Sequence, residues 1–191
     1  MENFGFQFEK HTVTTEDGYI LEMHRLYKEK KAGQPVVFMQ HGLFASSESF
    51  VLNGEGSTAY KFARDGYDVW LGNNRGTYHS LRHTHHHHEH DAEKFWNWSF
   101  AEMGAKDVPA MLKTIKYTIQ QDVEDPHIRH TDKIVYIGYD QGATQILYGL
   151  AYMEQSFYKD YLRGAILLAP CTKMNVLGGT MGYHYYGDLV D

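Results

Sequence analysis

Disulfide bonding is the first thing this chain lacks. Its single cysteine, Cys171, rules out an internal bridge, so stability has to come from a packed core. Long apolar runs are missing too. None approaches the roughly 18 residues of a membrane-spanning helix, so no membrane span is expected. Positive charge is not in excess. Lys and Arg number 18 against 24 Asp and Glu, a formal charge of -6, which argues against a general nucleic-acid binder. The opening residues, MENFGF, carry neither the basic start nor the apolar core of a signal peptide, and the compartment stays open. Internal repeats and a dividing linker are absent. What is present is a length of 191 residues, enough for one domain with a real core.

Short apolar stretches alternate with helical spacing. A hairpin is expected from strands at 12–15 and 19–26, joined through Asp17 and Gly18. Further strands are expected at 35–40, 67–71, 133–137 and 164–169. Helices are expected near 58–64, 100–121 and 141–155. Pro109 marks a kink or a late start within the second of them. Strands separated by helices imply an α/β fold: a mostly parallel sheet of about six strands with helices on both faces.

The chemistry concentrates in the string IVYIGYDQGATQ at 134–145. A strand runs into Gly138, Tyr139, Asp140, Gln141 and Gly142, and a helix follows. This is the frame of a nucleophile elbow, G-x-S-x-G, with aspartate in place of serine. The glycines suit a sharp turn that leaves no room for a Cβ and lifts the central side chain into a site. About a hundred residues earlier, Gln40, His41, Gly42 and Leu43 follow another strand. A His-Gly turn there presents a backbone N–H to a developing oxyanion, and the residue after the nucleophile supplies a second. The donors would be Leu43 and Gln141.

These strings, with HTVTTEDGYIL at 11–21, GYDVWLGNNRG at 66–76, SFAEM at 99–103 and DVPA at 107–110, resemble the acid lipases. That family includes the gastric and lysosomal lipases of the α/β-hydrolase fold. The resemblance covers nearly the whole chain. Members of the family are about twice as long, so it implies a truncated fold. Residues 1–170 would be a partial hydrolase domain, lacking the cap and last strands, and 171–191 a tail where the cap begins. The nucleophile, acid, histidine order of the fold places the last two members after strands not expected here. His184, in the Gly- and Tyr-rich tail, is the only histidine after the elbow and a weak candidate base.

Asp140 allows three readings. It could attack carbon directly, as the elbow aspartate does in epoxide hydrolases and haloalkane dehalogenases, with a histidine then activating water. It could accept the oxyanion-hole N–H bonds itself and fill the pocket. It could be a plain aspartate favoured by a helix N-terminus.

A run of histidines offers metal ligands, namely His85, His86, His87, His88 and His90, with His83, Glu89 and Asp91 beside them. The expectation is a solvated loop with adventitious metal affinity, and no metal or other cofactor. His41 reads as part of its turn, not as a base. His11 and His24 read as ordinary, and Arg75 as packing or pairing near the site. The sequon at Asn97 reads as a chance match. The overall expectation is a catalytically inactive lipase-like half-domain serving as an interaction subunit. Protein partners would use the strand 164–169 and the tail 171–191, because an apolar edge strand invites pairing. The alternative is an active hydrolase of esters or related electrophiles, with Asp140 as nucleophile and the remaining residues supplied elsewhere.

Overall fold

The central strands are apolar along most of their length because each faces covered cores on both sides. The computed structural model describes residues 4–31, 33–122 and 133–172. In β3 (Val36–Gln40), Val36 and Phe38 point to one core while Val37 and Met39 point to the other. Trp70 of β4 (Asp68–Gly72) and Tyr136 of β6 (Ile134–Tyr139) join the first core; Val69, Leu71 and Ile137 join the second. Alternation of side chains across a strand gives this split, and burial on both faces explains the unbroken apolar strings.

Helix α1 (Thr58–Arg64) covers one face with Ala59, Tyr60 and Ala63. The other face is covered by α4 (Val108–Gln121) and α5 (Gln141–Tyr152), through residues such as Met111, Leu112, Ile115 and Ile146. Tyr158 of α6 (Gln155–Tyr161) joins them.

The sheet order is β1-β2-β4-β3-β6-β7. The hairpin of β1 (Gln7–Thr14) and β2 (Tyr19–Tyr27) is antiparallel, with Gly18 of its turn at φ 94°. β2 pairs antiparallel with β4, and β3, β4, β6 and β7 (Leu162–Leu168) run parallel. This is the expected mostly parallel sheet with helices on both faces. A seventh strand, β5 (Arg82–His83), adds to the six anticipated; it is two residues long and pairs with Tyr19 and Ile20.

Other boundaries differ for physical reasons. The expected helix at 141–155 ends at Tyr152, where Met153 takes an extended conformation, and α6 begins after Glu154. The last strand spans Leu162–Leu168, not 164–169, because Ala169 turns to φ 50°. The helix from residue 100 is continuous, but its path is compound. After short helices α2 (Ala92–Phe95) and α3 (Phe100–Glu102), the turn Met103–Asp107 is a π-turn leading into α4. Pro109 lies in the first turn of α4, where a missing N–H is tolerated. Ser99 and Glu102 form a capping box that starts the run. Of the tail 171–191, only Cys171 and Thr172 fall within the described residues; His184 and the tyrosines near it fall outside them.

Candidate functional site

Both elbow glycines are required by close backbone approach. A Cβ at Gly138 would lie 2.6 Å from the Ala143 nitrogen. One at Gly142 would lie 2.3 Å from the Gln40 carbonyl oxygen, so the turn packs directly on the end of β3. Between them Asp140 stands at φ 50° and ψ -115°. A non-glycine residue held there costs about 1–3 kcal/mol, which the surrounding structure must offset. Part of the restraint is visible: the Asp140 N–H donates to the Leu168 carbonyl at 2.8 Å, and the Asp140 carbonyl accepts from Ala143 and Thr144 as α5 begins.

The half-buried Asp140 side chain turns toward the loop after β3. There the Leu43 N–H donates to its Oδ2 at 2.8 Å. Gly42 makes the approach possible, since a Cβ at that position would meet the same oxygen at 2.7 Å. Gln141, the first residue of α5, borders a cleft of about 500 Å³ together with His41, Gly42, Leu43, Arg75 and Trp98. The structure thus brings together Asp140, Gln141, His41, Gly42 and Leu43 from loops about a hundred residues apart.

His41 is buried and engages the backbone with both ring nitrogens. Its Nε2 accepts from the Asn74 N–H at 3.2 Å, which leaves Nδ1 protonated to donate to the Gly42 carbonyl at 2.8 Å. Burial pushes its pKa down to about 4, against a smaller upward pull from the Gly42 carbonyl. A neutral ring with no free lone pair positions a turn and cannot take a proton from a neighbour.

Arg75 lines the cleft but its guanidinium is buried. It donates to Asp107 Oδ1 through Nε (2.9 Å) and Nη2 (2.7 Å), and to Asp17 through Nη1 (2.8 Å) and Nη2 (3.0 Å). It also lies 4.0 Å from the Tyr19 ring centroid. Its carboxylate partners are not readable from spacing, because Asp17 is in the hairpin turn and Asp107 in the π-turn. Gln40 and Asn74 form a second buried pair at 2.6 Å, also unforeseen.

The histidine run folds as a stacked surface loop. His83 Nδ1 accepts from the His85 and His86 amides, so its Nε2 donates to the Asp17 carbonyl at 2.8 Å. His87 stacks on both His88 and His90, with ring centroids 4.6 Å apart in each case. His87, Glu89 and His90 present ligand atoms within 4.8 Å of one another, all three residues being exposed.

A doubly covered, mostly parallel sheet carrying a strand-turn-helix elbow at the end of β6 defines an α/β-hydrolase-type molecule. The chain belongs to that family, and within it is lipase-like: residues 35–184 match the alpha/beta hydrolase fold, and residues 1–54 match the partial alpha/beta-hydrolase lipase region. Lipase lipl-3 of Caenorhabditis elegans is 35% identical over 196 residues, covering 97% of this chain and 45% of that protein. Gastric triacylglycerol lipase of Homo sapiens is 40% identical over 148 residues, covering 74% of this chain and 34% of that protein. Among solved structures, brefeldin A esterase, a bacterial homologue of human hormone sensitive lipase, superposes with a TM-score of 0.57 at 12% identity, covering 94% of this chain and 44% of that one. Esterase Est22 gives 0.55 at 17% identity, covering 87% and 45%. At such identities these two structures speak for the fold alone. The chain spans less than half the length of each of these proteins.

Proposed function

We propose that this chain is a lipase-like module without a working serine-type acyl-transfer site, and that it serves as an interaction subunit. The observation that carries the first part is the 2.8 Å bond from the Leu43 N–H to Asp140 Oδ2. Acyl transfer needs a hydroxyl or thiol at the elbow and free N–H donors for the oxyanion it generates. Here the elbow residue has no hydroxyl, and its carboxylate already takes the donor on the loop after β3. His41, beside that donor, has both nitrogens committed to backbone groups. The acylglycerol hydrolysis named for the gastric relatives is therefore not expected of this chain.

The second part is supported by the β7 edge. Among the described residues, Ile166 and Leu168 are 48% and 47% exposed on the last strand of the sheet order, which pairs with β6 alone. An apolar edge strand pairs readily with another polypeptide.

The direct test is hydrolysis of p-nitrophenyl butyrate and of a triacylglycerol emulsion by the purified chain, with sedimentation of the same sample. The expected result is a rate equal to buffer. Turnover that disappears in Asp140→Ala would overturn the proposal and make Asp140 the nucleophile of an active hydrolase. A chain that remains monomeric with every candidate partner would remove the interaction reading.

A further inference from the structure

Two neighbours on one strand and a residue more than fifty positions later converge beside the cleft rim. Glu22 and His24 alternate with Met23 on β2, so their side chains share one face of the strand. His79 comes from the short 3₁₀ turn Tyr78–Ser80. That turn is fastened to β2 through Ser80, whose Oγ accepts from the Glu22 N–H at 3.1 Å and donates to the Asn73 carbonyl at 3.0 Å. One carboxylate oxygen, Glu22 Oε1, lies 2.8 Å from His24 Nε2 and 3.2 Å from His79 Nδ1. The ligand atoms of the three residues all lie within 4.8 Å of one another.

The outer partners are equally specific. His24 Nδ1 lies 2.9 Å from Ser47 Oγ, and the Ser47 N–H is itself held by Asn73 Oδ1 at 2.9 Å. His79 Nε2 lies 3.1 Å from Glu48 Oε1. Each imidazole thus aims one nitrogen at Glu22 and has the other oriented by a hydroxyl or a carboxylate. Histidine ligands of metals show this pattern: the far nitrogen hydrogen-bonds to an outer group that fixes the ring and its tautomer.

We propose that Glu22, His24 and His79 form a binding site for a divalent transition ion of the zinc class, with solvent completing the coordination. Two imidazoles and one carboxylate are a set that zinc takes in three-ligand sites with an open position. A metal on His79 Nδ1 would leave Nε2–H to donate to Glu48 Oε1, now 3.1 Å away. Lys10 Nζ, 3.0 Å from Glu22 Oε1, is the competing cation; its side chain is 57% exposed and free to swing into solvent. The site sits behind the segments that supply Glu48 and Tyr78 to the cleft wall, so a bound ion would clamp that wall to β2. It is separate from the histidine run and independent of any activity at Asp140.

The experiment is titration of the full chain, stripped with EDTA, with zinc chloride by calorimetry and with cobalt chloride by visible absorption. The exposed run also offers ligands, so the reference protein carries His85→Ser, His86→Ser, His87→Ser, His88→Ser and His90→Ser. The reference is expected to bind one equivalent of zinc, and its cobalt form to show the intense visible bands of low coordination. Glu22→Gln and His79→Ala, both at partly exposed positions, are expected to abolish that binding, with folding verified by circular dichroism. Glu48→Gln is expected to weaken it about 10-fold, the effect of an outer-shell partner, and Lys10→Ala to strengthen it. A reference protein that binds no zinc, or one in which Glu22→Gln and His79→Ala bind as tightly as the parent, overturns the proposal.

Discussion

The two edges of the sheet are built to opposite rules. β1 carries Glu9, Lys10 and His11, and its Glu9 carboxylate accepts from Tyr27 (2.7 Å) and Arg25 (3.1 Å) and pairs with Lys30 (3.0 Å). Beneath it Arg25, buried, grips Asp68 through Nε (2.8 Å) and Nη2 (2.7 Å) and reaches Asp122 at 2.6 Å. β7 reads LRGAILL and offers an apolar border with Arg163 as its one charge. Charge on an edge discourages further pairing, whereas apolar backbone invites it. Among the described residues, one border of this sheet carries a charged network and the other an apolar strand.

The strongest way to break the comparison is to take away what closes β1. Arg25→Met leaves the Asp68 carboxylate buried and unpaired, and a loss of about 3–5 kcal/mol is expected in urea unfolding. Adding Asp68→Leu should return much of it, because the pair then disappears together. A single-variant loss below about 1 kcal/mol would show that the network does not hold this edge.

Acid should open the same border selectively. Burial opposes ionisation of Glu9, but hydrogen bonds from Tyr27 and Lys30 and the charge of Arg25 outweigh it and lower its pKa from 4.5 to about 2. A depressed carboxylate contributes stability that is complete above its unfolded value and is lost as pH falls from about 4.5 to about 2. Amide exchange across that window should therefore rise in β1 before β7, and Glu9→Gln should flatten the pH dependence of unfolding. Equal loosening of both edges would contradict the contrast.

The smallest effect on stability is expected at the open border. Ile166→Lys changes a half-exposed side chain and should stay within about 0.5 kcal/mol of the parent. Its effect should appear in association instead, as a lower sedimentation coefficient wherever the parent is complexed. Association unchanged by the lysine would remove the β7 edge as the contact.

Much of this was legible in the chain, and the reasons are local. The unbroken apolar strings of β3, β4 and β6 announce strands buried on two faces. Gly138 and Gly142 announce an elbow because the close backbone approaches they permit exclude a Cβ. What stayed hidden depends on tertiary partners. β5 is too short to show a period, and it exists only because Tyr19 and Ile20 lie beside it. The break between α5 and α6 contains neither glycine nor proline. His24 reads as an ordinary strand residue until the turn at 78–80 sets His79 against it, with ring centroids 4.8 Å apart. The histidine run, conspicuous by density, turned out to be a surface loop, while a more enclosed cluster was assembled from residues 55 positions apart.

The bond between Leu43 and Asp140 also has a meaning in terms of concentration. The carboxylate on that amide is tethered by its own backbone, which is fixed in an unusual conformation and anchored at both ends. A tethered ligand competes at its effective concentration, set by geometry, and dilution cannot reduce it. Any free anion that reaches for the Leu43 amide, whether a fatty acid or a soluble carboxylate, competes against a rival held close by its own backbone. An outside anion takes that donor only at concentrations that outweigh the effective one set by the elbow.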